Sequence, residues 1–186
     1  MKTREPMPNY RRARLQGGTY FITVVTFRRQ RFLCDDDVRK ALRDGINKTQ
    51  GKYPFGIDAW ALLPDHLHCI WTLREGDSEF SYKWSLIKSG VTRRLLADDA
   101  FIPEASVSRN RRREGPVWQR RFWEHRIRDE DDLYAHLDYI HYNPVKHGLE
   151  NTVRKWRFSS FHSFVERGLY SPDWGLGEEQ DIDAGE

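Results

Sequence analysis

Long apolar runs, paired cysteines and glycine-rich nucleotide loops are all missing from this 186-residue sequence. No run of about 18 apolar residues is present, which argues against a membrane-spanning helix. The first 15 residues contain arginines but no apolar stretch, so we expect no secretory signal. Cys34 and Cys69 lie far apart, which favours reduced thiols in a cytoplasmic protein. Neither GxxxxGK[ST] nor GxGxxG occurs, so we expect no nucleotide cofactor.

The charge is unevenly distributed along the chain. The formal net charge is +3, but Glu178–Glu186 contain five acidic and no basic residues, so the rest of the chain carries +8. A basic body favours a polyanionic partner, because Lys and Arg neutralise phosphates. The length and the 38% hydrophobic content fit one domain with a substantial core. We expect a basic arm over residues 1–16, one domain over 17–176 and an unstructured acidic tail over 177–186.

Hydrophobic periodicity predicts alternating strands and helices. The predicted strands are Thr19–Phe27, Phe55–Leu63, Leu67–Leu73 and Val117–Ile127. The predicted helices run from Asp35 to about Gln50, from Phe80 to Leu95, and from Asp129 to Pro144, which should end the last one. Residues 98–116, including Arg109–Arg113, are predicted to form a loop. The order βαββαβα indicates an α+β domain with a mostly antiparallel sheet.

The segment Pro64–Ile70 contains two histidines two residues apart, His66 and His68. Side chains at i and i+2 of a strand share one face, so both imidazoles should point the same way. Two neutral imidazole nitrogens in fixed directions suit a divalent metal ion. The motif is short, and two surface histidines on a half-exposed strand also fit it.

The last predicted helix carries three polar side chains on one flank of its apolar stripe, His136, Tyr139 and Asn143. A phenol has a free pKa near 10, and it becomes a useful nucleophile when a cation or base stabilises its anion. Asn143 could supply a neutral oxygen ligand to an ion held by the histidine strand. Two other interpretations stay open: Tyr139 as an aromatic at the edge of the core, and Asn143 as a helix cap before proline.

Together these segments resemble the REP-associated tyrosine transposases, a group within the single-tyrosine HUH transposases. The matching stretches are GGTYFITV, AWALLPDHLHCIWTLREGD, VWQRRFWEH, DYIHYNPVKHGL, WRFSSFH and RGLYSPDW. They occur in the family's order and cover most of residues 10–174. The resemblance implies a ferredoxin-like α+β fold with the HUH histidines on a central strand.

The resemblance also implies roles for the candidate site residues. His66 and His68 would bind Mg²⁺ or Mn²⁺, and Tyr139 would attack DNA to give a 5′-phosphotyrosine and a free 3′-hydroxyl. Asn143 occupies the place of a glutamine ligand in related transposases, with a reach shorter by one methylene. Tyr142 is the rival nucleophile, and His136 is a candidate supporting residue.

Basic and aromatic side chains are the candidate DNA contacts, because they suit phosphates and exposed bases. They are Arg11, Arg12, Arg14, Lys88, Trp118, Arg120, Arg121, Trp123 and Lys146. For the tryptophans, packing in the core is the alternative. The resemblance implies nicking and strand transfer on hairpin or single-stranded DNA, by a monomer or a homodimer. A hairpin-binding protein with little or no cleavage activity is the competing function, and a water-using phosphodiesterase is a third.

Overall fold

The structure is a computed structural model that describes residues 18–97 and 117–176. The predicted N-terminal arm with Arg11, Arg12 and Arg14, the Arg109–Arg113 loop and the acidic tail lie outside the described residues. Within the described ranges, no helix is both long and apolar enough to cross a membrane.

Strands and helices follow one another in the predicted order over the described part of the chain. The strands are β1 Thr19–Val25, β2 Phe55–Leu62, β3 His66–Leu73 and β4 Trp123–Arg126. The helices are α1 Asp36–Lys52, α2 Phe80–Leu96, α3 Glu130–Lys146 and the short α4 Phe161–Glu166. Short 3-10 turns lie at Phe27–Arg29 and Val153–Lys155. The start of α3 is capped by Asp129, whose carboxylate accepts the backbone N–H of Asp132.

The four strands form one sheet in the order β2-β3-β1-β4, and all neighbouring pairs are antiparallel. This order, with α1 and α2 as the crossovers, is that of a ferredoxin-like βαββαβ unit. The predicted α+β class with an antiparallel sheet is therefore confirmed.

Alternation of side chains gives the sheet two different faces. On one face, residues such as Ile22, Cys69 and Trp71 form an apolar core with Trp84 and Ile87 of α2. On the other face lie His66, His68 and Phe21, and these face α3, whose buried Leu137 and Ile140 belong to a second core cluster. The histidine pair thus lies between the sheet and a helix.

The strand predicted over Val117–Ile127 is wrong in its first half, since β4 covers only Trp123–Arg126. Trp123 lies opposite Thr23, and Trp118 makes an isolated bridge with Thr26. Two extra residues therefore bulge out of this strand between the two pairings. Arg120 and Arg121 are exposed in the bulge.

The prediction that Pro144 ends the last helix is also wrong, because α3 continues to Lys146. Proline lacks an N–H, so one bond is missing, but the ladder resumes where His147 N–H donates to the Asn143 carbonyl at 3.0 Å. After Lys146 the helix is closed by a Schellman motif, which the φ of +64° at Gly148 allows. In it, Gly148 N–H donates to the Val145 carbonyl and Leu149 N–H to the Pro144 carbonyl, both at 2.9 Å.

Ile87 tests the packing of α2 on the sheet. Its side chain is fully buried in the core cluster, so Ile87→Ala should lower the free energy of unfolding by about 2–5 kcal/mol. Urea denaturation followed by circular dichroism measures this. Ser85→Ala, at an exposed position of the same helix, is the control and should change stability by no more than about 0.5 kcal/mol. Equal losses in the two variants would contradict the packing described here.

Candidate active site

Four of the predicted site residues converge between β3 and α3. His66 and His68 come from the strand, and Tyr139 and Asn143 come from the helix. The ring centroids of His66 and His68 are 4.7 Å apart, and those of His68 and Tyr139 are 5.2 Å apart. Nε2 of His66 lies 3.4 Å from Oδ1 of Asn143. All four side chains are buried, with Tyr139 being 6% exposed.

Each histidine of the pair is held through its Nδ1 atom. Nδ1 of His66 lies 2.7 Å from Oδ1 of Asp65, and Nδ1 of His68 lies 2.9 Å from the Thr23 hydroxyl. Burial raises the pKa of Asp65, but the hydrogen bond from His66 and the ion pair with Arg29 hold it below its ordinary value. The Asp65 carboxylate is therefore ionised, and it accepts the Nδ1–H of His66. Such outer contacts fix the orientation of metal-binding imidazoles.

As a metal ligand His66 would be neutral, and its Nε2, which lies 3.4 Å from the amide oxygen of Asn143, would then direct its lone pair into the site. A cation placed between this nitrogen and that oxygen would be bound by both. Burial holds the pKa of His68 well below its ordinary value, and the neighbouring imidazoles of His66 and His147 add to the effect. His68 is therefore neutral, as a metal ligand must be. The donor set of two nitrogens and one oxygen fits a divalent cation.

The ring of Tyr139 packs against His68 of β3, and the ammonium of Lys146 lies over it. It contacts His68 edge-on, and its centroid is 5.8 Å from that of Phe21. Nζ of Lys146 lies 4.9 Å from the centroid of the Tyr139 ring. A positive charge at this place lowers the cost of forming a phenolate. Lys146 is exposed, so it is also accessible to a phosphate.

Tyr142, the rival nucleophile, lies elsewhere on α3. Its ring packs near Trp174, with a centroid separation of 6.3 Å, and it belongs to the partly buried rim of the second core cluster. The structure therefore brings Tyr139, rather than Tyr142, to the histidine pair.

His136 joins a different group, which it forms with His125 and Asp132. Their candidate ligand atoms lie within 4.8 Å of one another, so the group could hold a metal ion. The rings of His125 and His136 are stacked at 4.7 Å with an interplanar angle of 11°, and in-plane lone pairs of parallel rings cannot meet at one ion. Oδ2 of Asp132 also accepts hydrogen bonds from His125 and from Arg128. The geometry favours a hydrogen-bonded network over a second metal centre.

His125 and Asp132 are not among the site residues predicted from the sequence. The i, i+4 spacing of Asp132 and His136 on one helix is the signal that could have revealed that pair. His125 comes from β4 and is brought to them only by the fold.

The predicted DNA contacts in the described ranges have different environments. Arg120, Arg121 and Lys146 are exposed, and Trp123 is partly exposed on the α3 side of the sheet. Trp118 is 6% exposed and packs in the core, where its Nε1–H donates to the Lys88 carbonyl. Of the two interpretations offered for Trp118, DNA contact and core packing, the structure therefore favours core packing. Lys88 is half-buried, its ammonium donates to the Gln119 carbonyl, and burial lowers its pKa to about 8.

No family model matches the chain. A REP-associated tyrosine transposase from Escherichia coli (strain K12) is 44% identical over 180 residues, which cover 97% of this chain and 98% of the relative. A Haemophilus influenzae relative, whose name places it in the same family, is 41% identical over 169 residues, or 91% and 94% of the two chains.

A solved structure is also similar to the chain over nearly its full length. It is a REP-associated tyrosine transposase bound to a REP hairpin, with 43% sequence identity and a TM-score of 0.74. The match covers 97% of this chain and 98% of that one.

The ionisation of Asp132, in the group with His125 and His136, should affect the stability of the fold. Burial raises its pKa, but hydrogen bonds from His125 and Arg128 outweigh this and lower it to about 2. A depressed carboxyl pKa stabilises the fold above the ordinary value near 4, and this contribution is lost as the pH falls towards 2. Asp132→Asn should therefore lower the free energy of unfolding at pH 7 by about 1–3 kcal/mol. Urea denaturation between pH 7 and pH 3 should show the difference from wild type narrowing below about pH 4.

Asp131→Asn is the matched control for that experiment, because Asp131 is exposed in the same helical turn. It should leave stability nearly unchanged. A difference between Asp132→Asn and wild type that stays constant down to pH 3 would contradict the ionised network.

Proposed function

Because this chain belongs to the family of REP-associated tyrosine transposases, we propose that it nicks single-stranded DNA beside a hairpin and transfers the strand through Tyr139. The observation that carries the proposal is the convergence of two oriented imidazoles, an amide oxygen and a phenol in one site. The solved relative bound to a REP hairpin supports a hairpin of this class as the substrate.

His66, His68 and Asn143 would hold the divalent cation. When bound there, Mg²⁺ or Mn²⁺ would polarise the scissile phosphodiester and offset the charge that develops on it. The amide oxygen of Asn143 lies 3.4 Å from Nε2 of His66, which supports Asn143 as the third ligand despite its shorter side chain.

The chemistry of the chain itself is a transesterification. The Tyr139 oxygen loses its proton and forms a bond to phosphorus, while the bond from phosphorus to the 3′-oxygen breaks. The departing oxygen takes up a proton and leaves a free 3′-hydroxyl, and the 5′ side stays attached to Tyr139. A 3′-hydroxyl then attacks the phosphotyrosine and releases the phenol. One ester replaces another in each step, so no nucleotide cofactor is required.

Side chains around the site would bind and orient the DNA. Lys146 is exposed and its ammonium lies over the Tyr139 ring. A DNA phosphate that binds this ammonium would therefore lie close to Tyr139. Arg120 and Arg121 in the bulge offer two further phosphate contacts, and the partly exposed Trp123 offers a surface for a base. Lys88 and Trp118 bond to each other's segments and hold the protein chain before β4 in place, rather than contacting bases.

The nucleophile is tested with end-labelled hairpin DNA that carries a single-stranded flank. With Mn²⁺ present, denaturing electrophoresis should show a protein-linked band for the wild type and for Tyr142→Phe, and none for Tyr139→Phe. Tyr142 is the matched control because it is a tyrosine one turn along the same helix. Cleavage that persists in Tyr139→Phe without a linked band would instead indicate attack by water. Binding by the wild type without cleavage or a linked band would indicate a hairpin-binding protein.

Asp65 tests whether the outer contacts orient the metal ligands. Asp65→Ala removes the acceptor for His66 Nδ1–H, so Mn²⁺ affinity should fall roughly 10- to 100-fold, as measured by isothermal titration calorimetry. Asp65→Asn keeps an acceptor and should lose less. Arg29→Ala, which removes only the ion pair to Asp65, is the control. Wild-type affinity in Asp65→Ala would exclude an orienting role.

A further inference from the structure

A partly exposed histidine on β4 belongs to the polar group that the proposed function leaves without a role. The side chain of His125 is 26% exposed, and its Nε2 atom lies 2.8 Å from Oδ2 of Asp132. Because the Asp132 carboxyl is ionised at neutral pH, it accepts the Nε2–H of His125. Nδ1 of His125 has no hydrogen bond to any of the described residues. The imidazole is thus oriented at one edge and open to a hydrogen bond at the other.

The ring of His125 is also part of an aromatic stack. Trp123, two residues earlier on the same face of β4, lies nearly parallel to it, with centroids 5.9 Å apart and an interplanar angle of 10°. The buried ring of His136 lies 4.7 Å from His125 at an angle of 11°. These three rings together form the β4 stack. Because Trp123 is partly exposed, the stack offers an indole to a nucleobase, and every base has a π face that can bind it.

The β4 stack lies close to the candidate nucleophile. The centroid of the Phe21 ring is 5.4 Å from that of Trp123 and 5.8 Å from that of Tyr139, so one side chain separates the indole from the phenol. The exposed Arg120 and Arg121 precede the stack on the chain and can bind phosphates of the same DNA strand. A strand with a phosphate at Tyr139 would therefore have a neighbouring base within reach of the stack.

We propose that Trp123 and His125 bind a base of the single-stranded flank next to the cleaved bond, and that His125 selects which base is accepted there. This inference rests on the proposed function, because the ligand is the DNA strand that Tyr139 would cut. Trp123 stacks on the face of the base and supplies affinity for any base. Nδ1 of His125 accepts a hydrogen bond only from a base that has an N–H at that place on its edge. Asp132 is a positioning residue, because it fixes the orientation of the imidazole.

A purely structural role for His125 would be to join β4 to α3 through Asp132. The two roles can be separated because they use different atoms of the ring. The amide nitrogen of glutamine lies as many bonds from Cβ as Nε2 does, so His125→Gln keeps a donor for Asp132 and removes Nδ1. The amide oxygen of asparagine lies as many bonds from Cβ as Nδ1 does, so His125→Asn keeps an acceptor there and loses the contact with Asp132.

The test measures binding of the full chain, without metal, to fluorescently labelled hairpin DNA in which each nucleotide of the flank is in turn A, C, G, T or abasic. At one flank position, the wild type should bind the favoured base roughly tenfold or more tightly than the least favoured one. In His125→Gln this ratio should fall to within about threefold, and His125→Asn should retain part of the preference.

Trp123→Ala tests the stacking contact with the same DNA. It should weaken binding of all four bases at that position by roughly tenfold and leave the affinity for the abasic hairpin within about threefold of wild type. His162→Gln, at an exposed histidine of α4, is the matched control for His125→Gln and should behave as wild type.

The abasic hairpin and the cleavage assay separate the possible failures. If His125→Gln keeps the wild-type preference, or binds every hairpin less tightly with the abasic one included, His125 does not select a base and the inference is overturned. An equal affinity of the wild type for all bases at every flank position also overturns it, while a protein-linked product with Mn²⁺ would leave the proposed function standing. A preference that depends on His125 without any linked product supports base selection and contradicts cleavage. If the wild type binds no hairpin DNA, both fail.

Discussion

The register between β1 and β3 is the constraint on which the site depends. Thr23 lies opposite His68, and the hydroxyl of Thr23 is bonded to Nδ1 of that ring. A slip by one residue would turn every side chain of β3 to the other face, which would place both imidazoles in the apolar layer under α1 and α2. The pairing that buries the core on one face therefore also aims the histidines on the other. Stability and function are set by the same hydrogen-bonded ladder.

One face of the sheet packs in an apolar core, whereas the other combines an apolar cluster with buried polar groups. Under α1 and α2, the stacked rings of Trp71 and Trp84 lie 4.5 Å apart in a core of apolar side chains. Under α3, Phe21 is fully buried and its ring contacts His68, His136 and Tyr139. This phenyl ring therefore lies between the His66–His68 pair and the His125–Asp132–His136 group. Burial of that kind holds imidazoles neutral, which suits a metal ligand.

Local patterns in the sequence predicted the parts of the site that lie close together along the chain. The period of a strand places His66 and His68 on one face, and the period of a helix places Asn143 one turn after Tyr139. Long-range packing decided the rest. Trp118 packs in the core and donates to the Lys88 carbonyl, and the bulge at Arg120 lies between the pairings of Trp118 and Trp123 with residues of or next to β1. No spacing within the sequence relates His125 to His136, because β4 and α3 meet only in the fold.

The continuation of α3 past Pro144 shows that tertiary packing can override the tendency of proline to end a helix. Asn143 and Pro144 are buried, and the packing of this turn offsets the one hydrogen bond that proline cannot make. Tyr139, Asn143 and His147 follow one another at intervals of four residues, so each is displaced by only about 40° around the helix from the one before. One edge of α3 can therefore bring a phenol, an amide and an imidazole to the same strand. A helix that ended at Pro144 would leave the phenol and the amide in place but would not bring the imidazole of His147 to His66.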